Sequence, residues 1–402
     1  MKNFWRFSGN EKKYVSQLFN NGFKQKKGLF SSRLEKYWSN YHKIKYSICI
    51  NSCTSALHVA FKSVGIGKND EVIVPALTPI MCGTSVSFCG ATPVYADVDK
   101  ENFLIDTKDI EKKITKKTKA ILAVHMYSGV CNLNHLKKIC KKNKIFLIED
   151  CAEAVGAKDQ NGNLAGTVGD IACWSFQAAK QLTSGDGGIL STNNKKLGKK
   201  IRQFSNLGFT TLTAESNQIV ISKDKRQNPN YNRFIEIGFN YRMNEFTAAI
   251  ALAQAERLNF FVKKRRLAGL SFKKVLADNK FLVPQVINKK SYSSYYTFAA
   301  KFNNKLSRIS WVKFRKKFME YGGDGIYAAS KLIHQEAAVK NNNIGRCFEY
   351  CKKNCVRTCH GTPNAKELQK SLLLFTTNQS NRQEINKQIN ALKSTLNFFG
   401  LN

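Results

Sequence analysis

Residues 173–191 read CWSFQAAKQLTSGDGGILS. The run from Cys173 to Phe176 has the composition of a buried strand, and the residues from Gly188 begin a second one. Between them Lys180 stands in a turn that also carries Gly185, Gly187 and Gly188. Glycine lacks a Cβ, so backbone in such a turn can approach a ligand closely. A lysine held between two strands beside such a turn suits a Schiff-base lysine for pyridoxal phosphate. In a chain this rich in lysine, a solvated side chain on a turn is the plain alternative, and the rest of the chain has to decide between them.

Upstream, strand-like and helix-like segments alternate. YSICI (46–50) is a strand, NSCTSALHVAFKSVG (51–65) a turn opening a helix, EVIVP (71–75) a strand and TPIMCGTSVSFCG (78–90) a helix. TPVYADVD, AILAVHM and IFLIED continue the strands, with helices between them. Alternation at this spacing predicts a mainly parallel sheet covered on both faces, an α/β domain. Residues 209–236 are polar and read as a long loop, and NEFTAAIALAQAERLNFFVKKRRLAGLSFKKVLA (244–277) reads as one long helical stretch. The remainder predicts a smaller α+β domain. The boundary is expected near 258, giving 1–258 for the large domain with its N-terminal segment and 259–402 for the small one.

Composition excludes some classes. The 402 residues are 43% apolar, enough for a substantial core, and no apolar run approaches a membrane span. The N-terminus has no apolar secretory stretch, so a cytoplasmic location is expected. Eight of the twelve cysteines lie in apolar segments, where free cysteine behaves as a small core residue. Cys347, Cys351, Cys355 and Cys359 are spaced by four, which drifts about 40° per step on a helix, so the four do not close one tetrahedral metal site. No metal is expected. The formal net charge of +37 raises a nucleic-acid reading, but the lysines are spread over separate elements and no aromatic-interleaved basic tract occurs. Such a spread suits a polyanionic substrate drawn in by steering.

The cofactor makes separable demands that other residues meet. Its phosphate needs hydroxyls and N–H groups at a helix N-terminus, where Thr54 and Ser55 stand. Its pyridine nitrogen needs a fixed carboxylate, and Asp150 closes IFLIED at the strand end where open α/β sheets bind ligands.

Together with the phrases NSCTSALHVAF, GIGKNDEVIVPALT, GATPVYADVD, TKAILAVHMYS, IEDCAEAVGA, GTVGDIACWSFQAAKQLTSGDGG and GFNYRMNEFTAAIALAQAERL, these residues carry a resemblance. From about residue 20 to 260 the chain resembles the DegT/DnrJ/EryC1/StrS family of pyridoxal-phosphate-dependent sugar aminotransferases, of the aspartate-aminotransferase (fold type I) superfamily. The resemblance implies that Lys180 binds the cofactor and shuttles a proton, that Asp150 holds the ring nitrogen, and that Thr54 and Ser175 bind the phosphate. It also implies a homodimer with shared sites, in which Asn240 reaches the neighbouring subunit's phosphate.

Three positions depart from the family pattern. Pro79 stands where an aromatic residue usually stacks on the ring, and Glu153 where glutamine is frequent. Glu153 would repel the cofactor's phenolate unless protonated or turned away. Asp186 shortens the usual GEGG to GDGG. Sugar dehydratases of the family carry histidine in place of Lys180, so the lysine favours transamination. The expected activity moves an amino group, from L-glutamate, to a nucleotide-linked keto-deoxysugar for polysaccharide or glycan synthesis. The alternatives are a free keto-sugar or keto-inositol acceptor, or a non-catalytic binding protein on the same fold. Tyr241, Tyr327 and His334 are substrate-contact candidates by position alone.

Overall fold

The computed structural model describes residues 4–20, 29–342 and 361–401. Its larger sheet contains β1 (Tyr46–Ile50), β2 (Glu71–Pro75), β3 (Thr92–Ala96), β4 (Thr118–Val124), β5 (Phe146–Asp150), β6 (Ile171–Ser175) and β7 (Gly188–Thr192). The strand order is β1-β7-β6-β5-β4-β2-β3. β3, β2, β4, β5 and β6 run parallel, while β7 lies antiparallel to both β6 and β1. The buried-run composition of these strands follows from that geometry, since helices cover both faces and neither face is left to water. The α/β architecture expected from the alternation is therefore present, with one strand reversed after the Lys180 turn.

A second sheet has the order β10-β11-β9-β8, all antiparallel, from β8 (Leu282–Pro284), β9 (Thr297–Phe302), β10 (Tyr327–Ala328) and β11 (Leu372–Thr376). Phe272, Phe298, Phe302, Phe314 and Phe375 pack around it in a core of their own. The first sheet's core is aliphatic and thiol-rich, with Ile73, Val74, Ile121, Leu122, Cys82 and Cys173 fully buried. The eight cysteines among the described residues are buried free thiols. Cys347, Cys351, Cys355 and Cys359 lie outside the described residues.

The stretch 244–277 forms two helices rather than one, Glu245–Glu256 and Leu258–Val275. Arg257 at the junction leaves helical geometry (φ −107°, ψ 10°), and its guanidinium donates to the carbonyls of Trp5 and Arg6. A tertiary contact with the N-terminus thus accompanies a break that the helix-forming sequence does not announce. The polar segment 209–236 is mostly loop, as its composition predicts, with one short helix at Lys223–Gln227.

His42 shows how burial acts on the core. Its ring lies 4.6 Å from that of Trp38 and 4.8 Å from that of Trp174, and Nδ1 meets the Trp38 carbonyl at 3.2 Å. Burial pulls its pKa from 6.5 down to about 4, against smaller upward pulls from the Trp38 carbonyl and Glu149. The unfolded chain therefore binds a proton that the folded chain refuses between pH 6.5 and about 4. Stability contributed by neutral His42 is present above pH 6.5 and is lost as the pH falls through that window. His42→Leu should remove about 3 kcal/mol of that pH dependence. Urea melts of both proteins at pH 7 and pH 4.5 check this; equal losses in the two would show that His42 does not titrate as described.

Candidate active site

The C-terminal ends of β4, β5 and β6, the start of β7 and the N-terminus of the helix Cys53–Ser63 converge on one cavity of 360 Å³. That lies within the range of small-molecule sites, at the sheet edge where parallel strands deliver their ends. Asp150, Thr54, Pro79, Glu153, Ser175 and Lys180 all line it. Residues up to 126 positions apart in sequence thus share one wall.

Asp150 closes β5 and is buried. Its Oδ1 accepts the Ala152 N–H at 2.9 Å, and its Oδ2 accepts the Cys82 thiol at 3.4 Å. Burial pushes its pKa above the usual carboxylate range, while the Ala152 N–H, Lys180 and the Cys82 thiol pull the other way. A carboxyl held this way gains from any cation that reaches it, and a protonated pyridine nitrogen is such a cation.

Lys180 sits in the turn after β6, its N–H donating to the Gln177 carbonyl at 2.9 Å. Its Nζ lies 3.5 Å from Glu153 Oε1 and 4.4 Å from the centre of the Tyr296 ring. Burial by itself would lower the ammonium's pKa; Glu153, Tyr296 and Asp150 outweigh it, so the pKa is raised. Glu153 is turned so that its Oε2 accepts the Tyr127 N–H at 3.0 Å. The carboxylate expected to trouble the cofactor is therefore engaged by a backbone N–H on one oxygen and by Lys180 on the other.

Hydroxyls and a helix N-terminus gather opposite. Ser52 caps the helix Cys53–Ser63, its Oγ accepting the Ser55 N–H at 3.1 Å. The Ser55 hydroxyl accepts from Ser52 Oγ at 3.0 Å, and Ser55 does not line the cavity, whereas Ser52 does. Gly188 explains part of the GDGG phrase. A Cβ there would come within 3.0 Å of the Cys53 nitrogen and 2.8 Å of the Trp174 carbonyl oxygen, so only glycine lets β7 lie against the helix start. Pro79, Met81, Val124, Met126 and Ala152 supply apolar walls. This set suits pyridoxal phosphate: hydroxyls and N–H groups for a dianion, a buried carboxyl for a ring nitrogen, apolar faces for the ring and an amine.

Other candidates lie elsewhere. Asn240 is exposed and pairs with Asn206 through backbone; it does not line its own chain's cavity. Tyr241 stacks on Phe239 at 5.0 Å and meets His58 Nδ1 at 3.2 Å, while Tyr327 is exposed on β10. His334 is buried beside Tyr95, with burial and nearby lysines pulling its pKa down to about 4. None of the three lines the cavity. Sequence reading missed Ser52, Met81, Met126, Gln177 and, across from Lys180, Tyr296; for Ser52 the signal was available, as a serine directly before a helix. His125, Glu149 and Cys151 bring ligand-type atoms within 4.8 Å of one another. Glu149, however, already accepts three backbone N–H groups, from Gly166, Val168 and Gly169, and meets His125 Nε2 at 3.0 Å. The Cys131 N–H donates to His125 Nδ1. These groups brace the loop beneath β5.

Comparison with known proteins agrees with this geometry. The chain is 32% identical over 290 residues to GDP-perosamine synthase of Vibrio cholerae, covering 72% of this chain and 73% of the relative. It is 38% identical over 266 residues to GDP-perosamine synthase of Caulobacter vibrioides, covering 66% and 67%. The fold matches that of the aminotransferase from Psychrobacter cryohalolentis with a TM-score of 0.83 at 24% identity, over 97% of both chains. The profile of the DegT/DnrJ/EryC1/StrS aminotransferase family matches residues 7–359, and the chain is a member of that family.

Proposed function

We propose that this aminotransferase uses pyridoxal phosphate to move an amino group from L-glutamate to the keto carbon of a nucleotide-linked deoxysugar, in polysaccharide or glycan synthesis. The observation that carries the reading is the placement of Lys180 and Asp150 in one cavity with the hydroxyl-bearing N-terminus of the helix Cys53–Ser63. The similarity to GDP-perosamine synthases supports a sugar acceptor. Bound there, the cofactor would supply an electron sink for the electron pair of the substrate carbon.

The chain's own residues would do the rest. Asp150 would accept a hydrogen bond from the ring nitrogen and keep it protonated. Ser52, Thr54, Ser175 and the helix N–H groups would hold the phosphate. Pro79 and Met81 would cover the ring by apolar contact where stacking is usual. Lys180 would be the amine that binds the cofactor and, when free, the group that holds and moves a proton at its Nζ, with Glu153 and Tyr296 holding that Nζ in place.

The site would be completed in a homodimer. The strap from Leu207 to Tyr241 exposes Ile235 (66%), Ile237 (91%) and Phe234 (52%), an apolar run that a second copy would cover, bringing its Asn240 to the phosphate. The chain would divide into a cofactor domain, 1–258, and a small domain, 259–402, that carries the second sheet. The charge of +37 would raise the encounter rate with an anionic nucleotide sugar, an effect that added salt weakens. No helix among the described residues is long and apolar enough to cross a membrane, and a cytoplasmic location fits that substrate.

The purified protein, given pyridoxal phosphate, should show a visible absorbance band that fades on adding L-glutamate and returns on adding the keto-sugar nucleotide. A band indifferent to every amino donor would mean that the fold binds the cofactor without transaminating.

A further inference from the structure

Two guanidinium groups reach the Lys180 turn from distant parts of the chain. Arg6 donates from Nη1 to the Ala178 carbonyl at 2.9 Å and from Nη2 to the Lys180 carbonyl at 2.7 Å. Arg265, in the helix Leu258–Val275, donates from Nη2 to the Ala179 and Lys180 carbonyls, each at 3.3 Å, and from Nη1 to the Tyr296 carbonyl at 2.8 Å and the Thr377 hydroxyl at 3.3 Å. Both arginines are buried, at 7% and 5% exposure, and neither has a carboxylate partner among the described residues. Burying two adjacent cations without a counter-ion is costly unless their donors are used. Here four of the six hydrogen bonds go to three consecutive carbonyls of one turn.

Arg6 is itself held. Its carbonyl accepts Gln254 Nε2 at 2.5 Å and Arg257 Nη1 at 3.1 Å, and Gln254 Oε1 accepts the Thr183 N–H at the far side of the same turn. The N-terminal segment, the two central helices and the Lys180 turn therefore form one hydrogen-bonded unit. Arg265 also lies 5.7 Å from the ring of Tyr296, whose other approach is to Lys180 Nζ at 4.4 Å. Arg6 stands one residue before the family profile match begins.

We propose that Arg6 and Arg265 are positioning residues that clamp the Ala178–Lys180 carbonyls and so aim Lys180 into the cavity. The inference rests on the reading that Lys180 carries the cofactor. Arginine suits the task because its planar fork reaches two carbonyl oxygens at once, which a lysine ammonium does not do with fixed geometry. A loosened clamp leaves Lys180 in the cavity but misaimed, and misplacement of about 1 Å can cost on the order of a hundredfold in rate.

The test mixes pyridoxal phosphate with cofactor-free protein and follows growth of the visible band by stopped flow, then titrates the band with pH. Arg6→Gln should slow band growth by at least about tenfold and shift the band's pH midpoint, with Arg6→Lys between it and the unsubstituted chain. Thermal melting of the cofactor-free proteins separates aim from folding, since a band defect in a protein that melts normally is local to the turn. Should Arg6→Gln fail to accumulate, Arg6→Lys alone decides: slowed growth supports the clamp and unchanged growth overturns it. Unchanged band growth and pH midpoint in Arg6→Gln would overturn the clamp alone. Absence of any band in the unsubstituted chain would overturn the functional reading and the clamp with it.

Discussion

Lys180→Ala should leave a folded protein with no lysine-dependent visible band and with transamination reduced by roughly 10²–10⁴-fold from the loss of proton transfer alone. In the proposed function the side chain would supply two things at one place: the amine that binds the cofactor and the base that moves the proton. Its Nζ is the cation between Glu153 at 3.5 Å and the Tyr296 ring at 4.4 Å. Removing it strands the Glu153 carboxylate on the Tyr127 N–H, so a modest loss of stability should accompany the loss of activity. Lys180→Arg separates the two effects. The guanidinium keeps the charge beside Glu153 and should restore stability, yet it is not deprotonated at neutral pH and restores no activity. Recovery of more than a trace of activity in Lys180→Arg would place the base elsewhere.

Asp150→Asn should act in the opposite sense on stability and in the same sense on function. Burial holds the Asp150 carboxyl above the usual carboxylate range, so at pH 7 the ionised form costs the cofactor-free fold energy that a neutral amide does not. The cofactor-free variant should therefore melt at or above the temperature of the unsubstituted chain. Function should fall by about two to three orders of magnitude, as for loss of one preorganised electrostatic partner, because an amide no longer keeps the ring nitrogen protonated. The Cys82 thiol, which donates to Asp150 Oδ2 at 3.4 Å, makes this a buried network rather than a lone acid. Melting curves without cofactor and turnover with it test the pair of effects; an unaltered turnover would remove Asp150 from the proposed chemistry.

The fold and the family were legible in the sequence. The strand and helix rhythm through residue 150 marks a parallel sheet because strands buried on both faces read as near-continuous apolar runs, and VIVP (72–75) and IFLI (145–148) have that composition. Thr54, Asp150 and Lys180 stand next to features with local signatures: a helix start, a strand end and a glycine-rich turn. What remained illegible depends on contacts between distant residues. The break at Arg257 coincides with carbonyls of Trp5 and Arg6, so no local propensity over 244–277 signals it. Ser55 and Ser52 are equivalent by composition, and only the folded cap places Ser52 at the cavity wall, with the Ser55 hydroxyl behind it accepting from Ser52 Oγ.

The chain's sequence by itself determined the sheet, through apolar periodicity, and the family, through its motif phrases, and it singled out Lys180 as the candidate amine, because each of these is written locally, residue by residue. Only the tertiary structure decided how Glu153 is engaged, that Tyr296 faces Lys180, and that Arg6 and Arg265 meet at the Lys180 turn. Those relations join residues up to 174 positions apart, and they exist only where the packing of two sheets and the N-terminal segment brings their side chains within hydrogen-bonding reach.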